Sequence, residues 1–321
     1  MNGILDENVL ETKTNENQIN EEIIKKYRLR EILASANISF LFGSGVNGRA
    51  FPQLIGFKET NDFLDEKYIG DSNSFEEKLN SLNEIDRNKA NELFVKEFNI
   101  AEEKIDMKHS DIMDVENLIE NTYRLVETTE NRQDSSYKVN IFTLNYDDIV
   151  ETILQNKSYV NNVLSADSYK KTNFFDVIGY NFKYNKKIPT FITAKLHGSV
   201  NRGILAQDAI IYPGNKKYET ALGSKFFELM FLMKEELIKQ NAVLIVIGYS
   251  GNDEHLNGLI SDAIESSLTV IWFKYDNVKD VIPETIRKHG DKVIVIDQLE
   301  DKIGTAKRCS NIIEGVLKEC L

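Results

Sequence analysis

Five short apolar runs recur along the chain, and each gives way to a glycine or a polar residue. Runs of this length without a strict polar alternation are typical of strands that are buried on both faces of a parallel sheet. The predicted strands are Ile38–Phe42, Val139–Thr143, Ala242–Ile247, Thr269–Phe273 and Lys292–Ile296.

Longer segments with apolar residues at helical spacing lie between these runs. Examples are Phe75–Phe98, Val115–Thr128 and Phe226–Lys239. Strands that alternate with helices indicate a Rossmann-like, doubly wound α/β fold with a mainly parallel sheet. The pattern predicts a polar N-terminal arm at residues 1–25 and one α/β domain at residues 26–321. That domain is expected to carry a helical insertion at about residues 61–136 and an irregular insertion at about residues 155–190.

Composition narrows the classes of function. The 321 residues are 41% hydrophobic and carry a net charge of −12, so no general attraction to nucleic acid or to an anionic membrane surface is expected. The chain has two cysteines, Cys309 and Cys320, whose spacing does not fit a CxxC zinc pair. We therefore expect no metal. The N-terminus lacks a signal-peptide pattern, and cytoplasmic localisation is the expectation.

A glycine-rich loop follows the first predicted strand. Gly43-Ser-Gly-Val-Asn-Gly48 contains a GxGxxG pattern where a strand would pass into a helix. Such glycines let a backbone approach a pyrophosphate closely, although a glycine turn also serves plain packing. The continuation Arg49-Ala-Phe-Pro-Gln-Leu54 differs from a dehydrogenase helix. It can be a loop that covers a ligand, or Phe51 and Leu54 can be core contacts.

Polar groups follow two of the other predicted strands and the apolar run Phe191–Ala194, at the edge where ligands of open α/β sheets bind. They are Thr143-Leu-Asn-Tyr-Asp-Asp148, Lys195-Leu-His-Gly-Ser199 and Gly248-Tyr-Ser-Gly-Asn-Asp253. The third group suits ribose hydroxyls or phosphate oxygens. Each group also has a plainer interpretation, because the aspartates can cap helices and a lone histidine is more often structural.

The order of these groups between about Phe40 and Phe273 resembles the sirtuin family, particularly the compact prokaryotic sirtuin-like NADases of phage-defence systems. The resemblance implies a sirtuin-like NAD-binding domain with NAD⁺ as substrate. It implies that Asn145 and His197 are catalytic, with Asp147 at the nicotinamide carboxamide. The residues expected to contact NAD⁺ are Gly43, Ser44, Gly45, Asn47, Arg49, Phe51, Thr143, Asp147, Gly248, Ser250 and Asp253.

Two departures from protein-deacylating sirtuins favour water as the final acceptor. The chain has no cysteine between Met1 and Lys307, so the zinc module of those enzymes is expected to be absent, and Leu144 replaces the glutamine before the family's asparagine. The resemblance thus implies an NAD⁺ hydrolase that acts in anti-phage defence by NAD⁺ depletion. It also implies a homo-oligomer that works with a separately encoded partner such as a HerA-type ATPase.

Three alternatives stay open at this point. The chain could be an NAD-dependent protein lysine deacylase, or a non-catalytic sensor of NAD⁺ or ADP-ribose. An ordinary dehydrogenase would need an acidic residue about 20 positions beyond the glycine loop. Asp62 and Asp65 lie near that distance, but the segment around them does not have the pattern of a second strand.

Overall fold

The structure is a computed structural model. It describes residues 27–129, 137–164, 179–181, 186–200, 211, 226–275, 281–298 and 303–320. The predicted N-terminal arm at residues 1–25 therefore lies outside the described residues, as do parts of the expected irregular insertion.

A seven-stranded parallel sheet forms the centre of the molecule. Its strand order is β3-β6-β2-β1-β7-β8-β9, and a separate antiparallel pair joins β4 to β5. The strands are β1 Asn37–Phe42, β2 Lys138–Thr143, β3 Val160–Leu164, β4 Gly179–Asn181, β5 Lys186–Ile188, β6 Thr190–Lys195, β7 Ala242–Ile247, β8 Thr269–Phe273 and β9 Val293–Ile296.

Helices cover both faces of the sheet. Residues 27–35 are helical and are called α1. The helices that follow are α2 Lys58–Lys67, α3 Phe75–Ser81, α4 Glu84–Glu103, α5 Ser110–Thr128, α6 Ile149–Asn156, α7 Phe226–Leu237, α8 Glu254–Ser266, α9 Glu284–Arg287 and α10 Thr305–Cys320. The prediction of a Rossmann-like, doubly wound α/β fold with a mainly parallel sheet is confirmed.

Two hydrophobic cores result from this arrangement, one on each face. Along β7, Val243, Ile245 and Ile247 point into the core beneath α5 and α10, whereas Leu244 and Val246 point into the core beneath α7 and α8. Because both faces are buried, the strand has no solvent-exposed side and is apolar throughout. None of the helices in the described ranges combines the length and hydropathy needed to span a bilayer.

The helical segment Phe75–Phe98 differs from the prediction, because it is two helices rather than one. Asn83 lies at the break, and its side chain accepts a hydrogen bond from the backbone N–H of Asp86. An asparagine in this position starts a new helix by satisfying one of its free N–H groups. The segment expected to be irregular also contains β3, which pairs with β6 at the edge of the sheet.

Candidate active site at the carboxyl ends of the strands

One cavity of about 310 Å³ opens at the carboxyl ends of β1, β2, β6 and β7. Side chains and loops from all four strand ends line it, together with aromatic residues of α4. The predicted site residues that line it are Gly43, Ser44, Asn47, Phe51, Asn145, Asp147, His197, Gly248, Ser250 and Asp253. Asn145 and His197, which are far apart in the chain, therefore lie at the same pocket.

Three predicted residues do not line this cavity. Gly45 and Arg49 line a second cleft of about 350 Å³, beside His109, Asp111 and Lys307. Arg49 is exposed, and its backbone N–H donates to the Asp111 carboxylate at 2.7 Å. Thr143 is buried at the end of β2, where its hydroxyl accepts a hydrogen bond from the N–H of Asn145 at 3.1 Å.

The glycine loop packs against the loop after β7. The Gly43 N–H donates to Ile247 and the Gly45 N–H donates to Gly248, both at 3.0 Å. A Cβ atom on Gly43 would come within 2.4 Å of the Gly248 oxygen, and one on Gly248 would come within 2.2 Å of the Val46 nitrogen. Gly248 also has a φ of +67°, which favours glycine.

These contacts change the interpretation of the loop. The N–H groups of Gly43, Gly45, Val46 and Gly48 all donate to protein carbonyl groups, so they do not form a phosphate cradle. The loop continues as a short 3-10 helix over Ser44–Asn47, and the next α-helix begins only at Lys58. Close packing against the loop after β7 is thus a sufficient reason for glycine at Gly43 and Gly248, and the NAD⁺ contacts of this loop stay a prediction.

Backbone hydrogen bonds hold Asn145 and His197 at the cavity. Beyond the end of the ladder, the Leu144 N–H donates to Phe42 and the Leu196 N–H donates to Thr143, both at 2.9 Å. These bonds extend the pairing of β2 with β1 and of β6 with β2 by one residue each. Asn145 and His197 follow directly, and they are only 8% and 4% exposed.

Asp147 forms the polar floor of the cavity. One of its carboxylate oxygens accepts from the side-chain amide of Asn47 at 2.8 Å, and the other accepts from the backbone N–H of Ile149 at 3.2 Å. Burial raises the pKa of Asp147 to about 6, although the Lys195 ammonium opposes this shift. The second bond satisfies the N–H of the first residue of α6. The Asn47 Oδ1 atom is buried without a hydrogen-bond partner among the described residues, so a donor group on a ligand would satisfy it.

Lys195 is a site residue that the sequence analysis missed. Its side chain is fully buried, and its ammonium group donates to the Asp147 carbonyl and, at 2.9 Å, to the Asp148 carboxylate. Glu151 is also 2.9 Å from it. Burial would lower the pKa of Lys195, but the surrounding carboxylates outweigh burial and raise it. The sequence feature that could have revealed this residue is the presence of a lysine at the end of an apolar run. The ammonium joins the turn that carries Asn145 to the turn that carries His197.

Aromatic side chains form the apolar wall. Phe51 packs against Phe98 of α4 with ring centroids 4.9 Å apart, and Tyr146 contacts Phe94 and Phe98 edge-on. Phe51 is buried and lines the cavity, so it is a core contact and a wall of the pocket at once. The wall also includes Phe57 and Phe75, which the sequence analysis did not single out.

Side-chain hydrogen bonds connect the turn after β7 to the start of α8. The Tyr249 hydroxyl accepts from the Asp253 N–H at 3.1 Å and donates to the Asn257 side chain at 2.9 Å. Burial raises the pKa of Tyr249 far above its usual range, so it remains protonated. Ser250 is exposed at the mouth of the cavity, whereas Asp253 is buried where α8 begins.

Comparison with known proteins supports a sirtuin-like assignment for part of the chain. Residues 139–294, just under half of the chain, match the family model described as the SIR2-like domain. This range contains Asn145, Asp147 and His197, and the match supports an NAD-dependent function in general. No curated protein matches the chain.

One solved structure similar to this chain is described as "Structural Basis for the Mechanism and Regulation of Sir2 Enzymes". The two share 14% sequence identity with a TM-score of 0.47, and the match covers 92% of this chain and 97% of that one.

Proposed function

We propose that this protein hydrolyses NAD⁺ to nicotinamide and ADP-ribose. The observation that carries the proposal is the convergence of Asn145, Asp147 and His197 on one cavity between the glycine loop and the turn after β7. The cavity combines an amide, a carboxylate and an imidazole with an aromatic wall, which is the mixture of polar and apolar groups typical of small-molecule sites.

The reaction breaks the bond between C1′ of the ribose and the nicotinamide nitrogen. The bonding electrons return to the pyridine ring, so nicotinamide leaves as a neutral molecule and needs no general acid. The ribose passes through a cationic, oxocarbenium-like transition state, as in other glycoside cleavages. Water then forms the new C1′–O bond and releases one proton.

Each polar residue has a role that its position supports. We assign Asn145 to orienting the ribose or the attacking water, and His197 to accepting the proton from water or polarising a ribose hydroxyl. Asp147 hydrogen-bonds the nicotinamide carboxamide, and the neighbouring Asn47 Oδ1 is available to the same amide group. Phe51 screens the reacting atoms from bulk water.

The biological role belongs to the same proposal and depends on the resemblance to sirtuin-like NADases alone. We infer that the chain is an effector of anti-phage defence that depletes NAD⁺. On the same basis we expect a homo-oligomer that acts with a separately encoded partner such as a HerA-type ATPase.

The test is incubation of the purified chain with NAD⁺, with and without candidate partners, and identification of the products by mass spectrometry. Asn145→Ala and His197→Ala should each lower the rate of nicotinamide release by about 10²–10⁴-fold. Circular dichroism must show that both variants stay folded. Full activity in either folded variant would refute the assignment. O-acetyl-ADP-ribose formed from an acetylated peptide would instead identify a deacylase, and NAD⁺ binding without nicotinamide release a sensor.

A further inference from the structure

Two histidines and one carboxylate meet beside the proposed reaction centre. The ligating atoms of His197, Asp253 and His255 all lie within 4.8 Å of one another. His197 comes from the turn after β6, whereas Asp253 and His255 lie at the start of α8. His255 is half-buried, and the other two residues are buried.

This donor set fits a divalent transition-metal ion. Two imidazoles and one carboxylate are a common protein ligand set for zinc, with a fourth position left for water or substrate. Metal–nitrogen bonds of about 2.0–2.1 Å place the ligands of a tetrahedral ion roughly 3.4 Å apart, so the donor atoms need to approach one another by at most about 1.4 Å. Mg²⁺ and Ca²⁺ fit less well, because they prefer oxygen ligands.

Backbone hydrogen bonds hold two of the three ligand residues, and the third, His255, lies in the first turn of α8. The His197 carbonyl accepts a hydrogen bond from the N–H of Ile211 at 2.8 Å. The Asp253 N–H donates to Tyr249, as described above, and the Asp253 carbonyl accepts from the N–H of Asn257 at 2.9 Å. Bringing the three donor atoms onto one ion therefore calls for movement of the side chains, while these backbone hydrogen bonds can stay in place. The cavity, which His197 and Asp253 both line, supplies the open fourth position.

The charge of the cavity favours a cation. Its described lining includes Glu76, Asp147 and Asp253, and no lysine or arginine is among those lining residues. The same negative charge would stabilise the positive charge that develops on the ribose in the oxocarbenium-like transition state. A divalent ion held by His197 would oppose this effect, and it would also bind a nitrogen of the imidazole to which the proton transfer is assigned.

We propose that His197, Asp253 and His255 bind one Zn²⁺ ion, or a similar divalent ion, and that the bound ion switches off NAD⁺ cleavage. The geometry of the three side chains supports the ion site. The proposed inhibition depends on the NAD⁺ hydrolase function proposed above.

The experiment titrates the chelator-treated full-length chain with Co²⁺ and follows its visible ligand-field absorption, after which Zn²⁺ is added as a competitor. We expect one Co²⁺ per chain, displaced by Zn²⁺. His255→Gln should weaken Co²⁺ binding by about 10²-fold or more. The matched control is His109→Asn, because His109 lies at the second cleft and asparagine preserves its hydrogen bond at the start of α5.

Nicotinamide release is measured in parallel. Saturating Zn²⁺ should lower the wild-type and His109→Asn rates by about 10²-fold or more, the loss expected when a general base is removed. His255→Gln should keep its rate both with chelator and with Zn²⁺.

No Co²⁺ band, or a band unchanged in His255→Gln, would overturn the metal site and leave the proposed hydrolase intact. Binding without loss of rate would overturn the inhibitory role. If nicotinamide is never released, the proposed function fails while the Co²⁺ titration still decides the site.

Discussion

At the scale of single residues, the site depends on a buried cluster of charges rather than on isolated functional groups. Asp147, Asp148 and Glu151 surround the Lys195 ammonium, and Glu102 of α4 approaches from the other side to accept the Asp148 N–H at 3.0 Å. One ammonium cannot neutralise four carboxylates. Burial raises the pKa of two of these groups, Asp147 and Glu102, so both bind a proton more readily than exposed carboxyl groups do.

For Glu102, the effect of burial can be measured as a change in the free energy of unfolding with pH. Burial, followed by repulsion from Asp148, raises the pKa of Glu102 to about 7. The folded chain therefore holds a proton that the unfolded chain loses near its ordinary pKa. The stability that depends on protonated Glu102 is fully present below the pKa that this group has in the unfolded chain. It is lost as the pH rises from there through about 7, the pKa in the folded chain.

Glu102→Gln should remove this dependence. A glutamine oxygen can still accept the Asp148 N–H but carries no charge. Between pH 5 and pH 8 the stability of wild type relative to the variant should fall by about 1–2 kcal/mol, a value reduced for the partial exposure of the group. Urea unfolding at both pH values measures it, with the exposed neighbour Glu103→Gln as control. Parallel pH profiles for wild type and Glu102→Gln would show that Glu102 is not the responsible group.

At the scale of secondary structure elements, α4 connects the helices between β1 and β2 to the site. It carries Phe94 and Phe98, which pack against Phe51, Phe57 and Tyr146, and its last turn carries Glu102. The helix is thus part of the pocket wall rather than a remote addition. Its apolar face should control both stability and ligand affinity.

Phe98→Ala should destabilise the chain by about 3–5 kcal/mol, the usual cost of deleting a buried phenyl ring. The milder Phe98→Leu should remain folded, yet raise KM for NAD⁺ more than it lowers kcat, because the wall contacts substrate and transition state alike. Ile100→Ala is the matched control, because Ile100 lies on the same helix but is 40% exposed. This variant should change neither KM nor kcat appreciably. An unchanged KM in Phe98→Leu would separate α4 from the binding site.

Sequence reasoning worked best for elements whose burial is uniform. The predicted strands match β1, β2, β7, β8 and β9 to within a residue at each end, because strands covered on both faces leave continuous apolar runs. β3 was missed since its sequence, VNNVL, lies at an edge and carries two asparagines. Lys195 and His255 were missed for a different reason. A lysine or histidine gains its significance from partners that only tertiary folding brings near.

At the scale of the whole molecule, two clefts compete as the place where NAD⁺ binds. The second cleft carries Arg49 and Lys307 beside Asp111 and Asp114, so its cations and carboxylates balance, whereas the described lining of the cavity at Asn145 holds carboxylates and no lysine or arginine. On charge alone, a diphosphate would be repelled less by the second cleft. The aromatic wall, Ser44 and Ser250 at the mouth, and the unsatisfied Asn47 oxygen favour the cavity, because they match an aromatic ring, ribose hydroxyls and an amide.

Ligand-linked stability distinguishes the two clefts without any turnover. In a His197→Ala background, NAD⁺ at about a hundredfold excess over its Kd should stabilise the fold by about 2.7 kcal/mol and raise Tm by roughly 5 °C. Adding Phe51→Ala should reduce that rise at a fixed NAD⁺ concentration, since it removes part of the wall, whereas adding Lys307→Ala should leave it unchanged. The opposite pattern would place the dinucleotide in the second cleft. The roles proposed for Asn145 and His197 would then fail, because neither residue is among those that line the second cleft.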